Sequence, residues 1–226
     1  MQTQTKIETI EFNGWTMRIR PAQSQPSRLL VMIHGLTGDE NSMWVFARRF
    51  PDHYWIIAPR APHPANPQGF SWRANPITIE EAQRDLSKRP SLEALLPAAE
   101  GLIRLVDEYS VSAGVDARQF DTIGFSQGGA MVNVLGLTSP QRIHKMGVLA
   151  GFLPSGLDAQ ISTRALAGKQ IFVAHGTQDE MVPVDRARAS MQMLEQAGAS
   201  ITYCEDAVGH KLSAGCLKAL ESYLTN

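Results

Sequence analysis

The chain has 226 residues, with 21 Lys+Arg against 22 Asp+Glu and a formal net charge of −1. That length suits one α/β domain spanning 1–226, which buries roughly 70% of its unfolded surface without needing staples. The balanced charge offers nothing to nucleic acid, no run of ~18 apolar residues can span a membrane, and Met1–Lys6 lack the apolar stretch of a secretory leader. The expectation is a soluble protein of the cytoplasm.

Taken in order, Ile7–Phe12 and Trp15–Arg20 flank Asn13-Gly14, a hairpin signal that predicts an antiparallel edge. Arg28–His34 is almost continuous hydrophobe, as a strand buried on both faces requires. Tyr54–Ala58, Asp121–Phe125, Met146–Ala150 and Ile171–His175 repeat the type. Between Pro59 and Pro76 lie five of the 13 prolines with little regular pattern. A loop that long is usually functional, and Phe70 and Trp72 give it something to pack as an ordered wall. Thr78-Ile79-Glu80-Glu81 reads as a capping box. Leu92, Leu95, Leu96, Ala99, Leu102, Ile103 and Val106 follow one helix face, with Pro97 marking either a kink or the first turn. Strands alternating with helices imply a mostly parallel sheet covered on both faces. Ser200–Cys204 is strand-like, and Cys216 falls in a terminal helix. Both cysteines are expected to be small buried hydrophobes, with no disulfide framework and no metal pattern.

Chemistry concentrates at Gly124-Phe125-Ser126-Gln127-Gly128-Gly129, directly after one strand and before a helical run from Ala130 to Leu137. This is G-x-S-x-G in the context the motif needs. The glycines allow a sharp strand-to-helix turn, which presents the Ser126 hydroxyl where a helix dipole favours negative charge. A serine hydroxyl is a weak nucleophile and needs a base that an acid orients. The order in such folds is Ser, then Asp or Glu, then His. After Ser126 come only His144, His175 and His210. An Asp at a strand end must intervene, and Ile171–His175 runs into Gly176-Thr177-Gln178-Asp179, beyond which only His210 remains. Glu180 and Asp206 are the rival acids; the turn before Val182-Pro183 favours Asp179, and Asp206 reads as a local surface turn. His144 reads as solvated and His175 as locally hydrogen-bonded. His53 and His63 look like surface or loop residues. Oxyanion donors are expected from the backbone N–H of Gln127 and from the loop His34-Gly35-Leu36-Thr37-Gly38-Asp39, in which His34 holds the turn.

These motifs resemble the α/β-hydrolase superfamily, and within it the carboxylesterase/phospholipase family that includes acyl-protein thioesterases. The resemblance rests on His34-Gly35-Leu36, the Ser126 motif, His175-Gly176-Thr177-Gln178-Asp179 with Val182-Pro183, and Gly209-His210, from about residue 28 to the C-terminus. It implies a triad of Ser126, Asp179 and His210, oxyanion amides on Leu36 and Gln127, and neither metal nor organic cofactor. The implied activity is a serine hydrolase that cleaves carboxylic esters of small to medium acyl chains through an acyl-enzyme. An acyl thioesterase or lysophospholipase is the alternative. A non-catalytic binding module would lack a triad member, and none is missing. The stretch Gly151–Gln170 is too short for a cap domain, so Phe70, Trp72, Arg73, Phe152 and Leu153 are expected to shape the pocket. The thioesterase branch carries a longer aromatic motif where this chain has Ser71-Trp72-Arg73. Arg73 there leaves room for a polar or acidic group.

Overall fold

The computed structural model describes residues 7–75, 78, 80–81 and 90–225. In chain order its elements are β1 (Glu8–Phe12), β2 (Trp15–Arg20), β3 (Arg28–Ile33), two short 3-10 turns (Ser42–Val45 and Ala47–Arg49), β4 (Tyr54–Pro59), β5 (His63–Pro64) and β6 (Phe70–Ser71). Then follow α1 (Leu92–Ala113), β7 (Phe120–Phe125), α2 (Gln127–Thr138), β8 (Ile143–Leu149), α3 (Asp158–Ser162), β9 (Gln170–Gly176), α4 (Val184–Gln196), β10 (Ser200–Asp206) and α5 (Ala214–Thr225).

Eight strands form one sheet in the order β1-β2-β4-β3-β7-β8-β9-β10. From β4 to β10 neighbours are parallel, while β1–β2 and β2–β4 are antiparallel. The expected hairpin closes with Phe12 opposite Trp15. Asn13 and Gly14 both take positive φ, 46° and 81°, as a turn matched to strand twist demands. Leu29 to Ile33 are all buried, because α1, α2 and α4 cover one face of the sheet and α5 with the 3-10 turns covers the other. Between β8 and β9 the only helix is the short α3.

Two local readings have a direct counterpart in the structure. Helix α1 starts at Leu92, where Ser91 Oγ accepts from Ala94 N–H, and ends at Gly114 in the left-handed region. Pro97 therefore lies inside the helix rather than in its first turn. The capping box forms reciprocally: Thr78 N–H donates to Glu81 Oε2 (2.8 Å) and Glu81 N–H to Thr78 Oγ1 (3.2 Å). Ile79 lies outside the described residues, as does Pro76 at the end of the proline-rich wall.

The parallel strands all point their carboxyl ends to one edge, where ligands of open α/β sheets bind. Packing at that edge is very tight at the β7–α2 turn. A Cβ on Gly124 would sit 2.1 Å from Gly128 O, and one on Gly128 would sit 2.1 Å from Ile33 O. Three backbones meet there, and none is a flexible side chain that can yield. Gly128→Ala should therefore cost about 3 kcal/mol and lower Tm by roughly 6–12 °C. Thermal unfolding checks this; a variant within about 1 °C of the parent would contradict the close approach.

Candidate active site

The turn after β7 holds Ser126 at φ 54° and ψ −114°, a conformation rare for a residue with a Cβ and common at functional turns. Its N–H donates to Leu149 O (2.9 Å), and its carbonyl accepts from Ala130 N–H (3.1 Å). The backbone is thus pinned to β8 on one side and α2 on the other, which leaves the side chain facing a cavity of about 500 Å³. That volume lies within the range of small-molecule sites.

His210 reaches the same cavity from the loop between β10 and α5. Its Nδ1 is 2.7 Å from Asp179 Oδ2, and its ring lies 4.9 Å from that of Phe125. Asp179 is fully buried in its side chain, and its Oδ1 accepts from the N–H groups of Met181 and Val182, both at 2.8 Å. Burial raises the Asp179 pKa. The hydrogen bond from His210, the bonds from Val182 and Met181 and the His210 charge outweigh that and hold the carboxyl below its ordinary range. An ionised carboxylate on Nδ1 fixes the tautomer that leaves Nε2 free to take a proton.

Backbone contacts bring the two loops together. Thr177 N–H donates to Asp206 O (2.9 Å) and Gln178 N–H to Val208 O (3.0 Å). Gly176 makes this possible, since a Cβ there would meet Val208 O at 2.1 Å. None of the rival residues lines the cavity, although His175 Nε2 lies 3.4 Å from Asp179 Oδ2. Glu180 is exposed, and Asp206 accepts locally from Ala207 N–H. His175 is buried, with Nε2 donating to Val182 O (2.7 Å), and burial holds its pKa below the ordinary value. His144 is not simply solvated: its Nδ1 lies 2.8 Å from Oδ1 of the buried Asp121, at the far end of β7.

The loop after β3 is braced from three sides. His34 Nδ1–H donates to Gly35 O (2.7 Å), and its Nε2 accepts from Ala61 N–H (3.0 Å). Burial pushes the His34 pKa down to about 4, so the ring is neutral, as this bonding needs. Glu40 binds Arg60 through both oxygens, at 2.8 and 3.0 Å. Thr37 N–H donates to Phe70 O (3.0 Å) and Phe70 N–H to Gly38 O (2.9 Å). The proline-rich wall therefore pairs strand-fashion with the loop that carries Leu36. It also grips the other candidate donor: Trp72 N–H donates to Gln127 Oε1 (3.0 Å), and Gln127 Nε2 to Ser71 Oγ (3.2 Å).

Leu36, Gln127, Ser126 and His210 all line the cavity, and so do Arg73 and Phe152. The other expected pocket residues do not. Trp72 is fully buried behind the wall, where its Nε1 donates to His34 O (2.8 Å). Phe70 is held in the β5–β6 pair, under the Arg60 guanidinium. Leu153 is buried in the core, with its N–H on Ser190 Oγ. Trp72 and Phe70 thus support the wall and Leu153 fills the core, and none of the three forms the lining. The lining that the sequence reading missed comes from Met43, Val45 and Phe46 in the 3-10 turns and from Met181 and Val182 after Asp179. The signal was present: Met43-Trp44-Val45-Phe46 is an apolar run just after the loop that carries Leu36, and Val45 is 66% exposed at the cavity rim.

The cysteine expectation is overturned. Cys204 of β10 and Cys216 of α5 form a disulfide, with Cα atoms 5.5 Å apart. Period-2 and helical patterns place each residue on its own element, but neither pattern reveals that α5 packs back across β10. The bond closes the loop that holds His210.

The fold matches solved α/β-hydrolases. A carboxylesterase from Mesorhizobium loti superposes with a TM-score of 0.80 at 18% identity, covering 97% of this chain and 99% of that one. The phospholipase/carboxylesterase family model matches residues 16–226, so the chain belongs to that family of hydrolases. Among its relatives, a probable carboxylesterase SOBER1-like protein of Arabidopsis thaliana is 24% identical over 92% of this chain and 82% of its own length. An acyl-protein thioesterase 1 of Neurospora crassa is 26% identical over 91% of this chain and 89% of its own.

Two outcomes follow from this geometry. His34 binds a proton only near pH 4 when folded and at about 6.5 when unfolded. The unfolded chain thus holds more protons between those values, and stability should fall as pH drops from about 6.5 towards 4. A Tm that stays flat over that window would contradict a neutral buried His34. Reducing the disulfide should remove about 2–3 kcal/mol and lower Tm by roughly 4–12 °C. Calorimetry with and without reductant reads this, and the Cys204→Ser/Cys216→Ser double variant should show no reductant effect.

Proposed function

We propose that the protein hydrolyses carboxylic esters of small to medium acyl chains through an acyl intermediate on Ser126. The carrying observation is that His210, whose Nδ1 lies 2.7 Å from the Asp179 carboxylate, and the Ser126 turn at positive φ open onto one cavity. In this reading Ser126 Oγ attacks the ester carbonyl carbon while His210 Nε2 takes its proton. The carbonyl oxygen becomes an oxyanion and receives hydrogen bonds from the N–H groups of Leu36 and Gln127. Collapse breaks the carbon–oxygen bond to the alcohol, which leaves with the proton from His210. Water, deprotonated by His210, then attacks the acyl carbon and releases the acid and the free serine. Every step uses side chains and amides of this chain, without a metal or organic cofactor.

The braced donors support the oxyanion assignment, because amides already held in place need no reorganisation when charge develops. The apolar lining from Met43, Val45, Phe46, Phe125, Phe152, Met181 and Val182 supports an acyl substrate. Thioesters pass through the same tetrahedral intermediate, and the acyl-protein thioesterase 1 relative favours testing them beside oxyesters on matched acyl chains. The cytoplasm remains the proposed location. Among the described residues no helix is long and apolar enough to cross a membrane. The Cys204–Cys216 bond pulls the other way, since disulfides persist chiefly in oxidising compartments.

Ser126→Ala should lower kcat/KM for p-nitrophenyl acetate and butyrate by at least about ten-thousandfold while Tm stays within about 2 °C of the parent. A well-folded alanine variant that keeps parental turnover would remove Ser126 as the nucleophile.

A further inference from the structure

Beside the Asp179 carboxylate lies a second histidine that the hydrolytic steps leave unused. His175 sits near the carboxyl end of β9, and its side chain and that of Asp179 are both fully withdrawn from solvent. Its Nε2 meets Val182 O at 2.7 Å. A carbonyl only accepts, so the proton is on Nε2 and Nδ1 carries a lone pair. That Nδ1 is buried with no hydrogen-bond partner among the described residues. An orphaned nitrogen costs stability, and a leucine of similar size would fill the same space without it. Packing alone does not account for a histidine here.

The bonds around the ring give it a different role. Met181 N–H and Val182 N–H both donate to Asp179 Oδ1 (2.8 Å), while Val182 O accepts from His175. His175 thus holds a residue that holds the carboxylate. The same Nε2 lies 3.4 Å from Asp179 Oδ2, the oxygen that faces His210 Nδ1 at 2.7 Å. An N–H dipole beside that oxygen favours the ionised carboxyl. Burial outweighs the Val182 O bond and the charges of Asp179 and Glu205, which favour an imidazolium, and holds the His175 pKa below its ordinary value. A neutral ring does not compete with His210 as the charged partner of Asp179.

We infer that His175 is a positioning residue, which through Val182 fixes the turn that aims Asp179 Oδ2 at His210. This deepens the esterase reading and rests on it for the kinetic consequence, but the contact between Asp179 and His210 can be read without turnover. Without the tie, the 179–182 turn can rotate and the base is no longer held in one orientation. Misplacing a group that acts in the chemical step lowers kcat and leaves substrate binding as it was.

The test compares His175→Leu, which removes the donor, with His175→Gln, whose side-chain amide reaches about as far as Nε2 and keeps an N–H. For p-nitrophenyl butyrate, His175→Leu should lower kcat about ten- to hundredfold with KM unchanged, and His175→Gln should recover most of that loss. Magnetic resonance of isotope-labelled histidines follows the His210 Nδ1–H signal, assigned by its absence in His210→Ala. The signal should be present in the parent and in His175→Gln, and lost to exchange with water in His175→Leu. A purely structural role would lower Tm in the variants but leave kcat and this signal as in the parent, and that result would overturn the inference. Parent spectra that show His175 as the Nδ1–H tautomer would overturn it as well, whatever the variants do. If His175→Leu does not fold, His175→Asn replaces it with the same expectations, since its amide is too short to reach Val182 O. A parent protein that does not hydrolyse the ester sinks the esterase reading, while the His210 signal still decides the role of His175.

Discussion

Everything at this site depends on how closely β7, α2 and the end of β3 approach one another. Without side chains at Gly124 and Gly128, the strand can turn straight into the helix with Ile33 O against the turn. That contact forces Ser126 to positive φ, at a cost of the order of 1–3 kcal/mol that the surrounding packing must offset. Bonds to Leu149 and Ala130 and the burial of α2 supply the restraint. The result is a hydroxyl held clear of its own backbone at the first turn of a helix.

The second level of order is a set of hydrogen bonds that ties separate loops into one wall. Gln127 is central to it. It lines the cavity at the head of α2, and its side-chain amide is held between Ser71 and Trp72. Phe70 pairs with Thr37 and Gly38, and Trp72 reaches His34 O, so the loops after β3 and β4 cannot move independently. Buried polar networks of this kind are stabilising only when their members are satisfied. The neutral His34, which donates at one nitrogen and accepts at the other, meets that condition. Across the cavity, backbone bonds from Thr177 and Gln178 to the 206–208 segment join the Asp179 loop to the His210 loop, and the disulfide closes the latter.

Much of this was legible in the sequence where local pattern fixes geometry. Asn13-Gly14 demanded a hairpin, continuous hydrophobe marked β3, and G-x-S-x-G between strand and helix marked the turn. The turn before Val182-Pro183 then favoured Asp179 over Glu180, order along the chain favoured His210 over His175, and Asp179 is buried where Glu180 is exposed. The misread residues depend on which neighbours come together in three dimensions. An aromatic in a proline-rich loop can line a cavity or back it, and Trp72 backs it because its indole N–H finds His34 O. The Cys204–Cys216 bond likewise depends on how α5 lies across β10, and neither element's periodicity encodes that. Lining from the 3-10 turns was missed because short turns have too little periodicity to reveal which face looks inward.

The most direct measurement is covalent labelling of the native protein with a fluorophosphonate, followed by peptide mass spectrometry. The reagent reports an activated serine and requires no knowledge of the natural ester. A single stoichiometric adduct on the peptide containing Ser126, lost on acid denaturation before labelling and strongly slowed in His210→Ala, is the expected result. An unlabelled protein, or an adduct on a different residue while Ser126 stays unmodified, would contradict the proposed nucleophile.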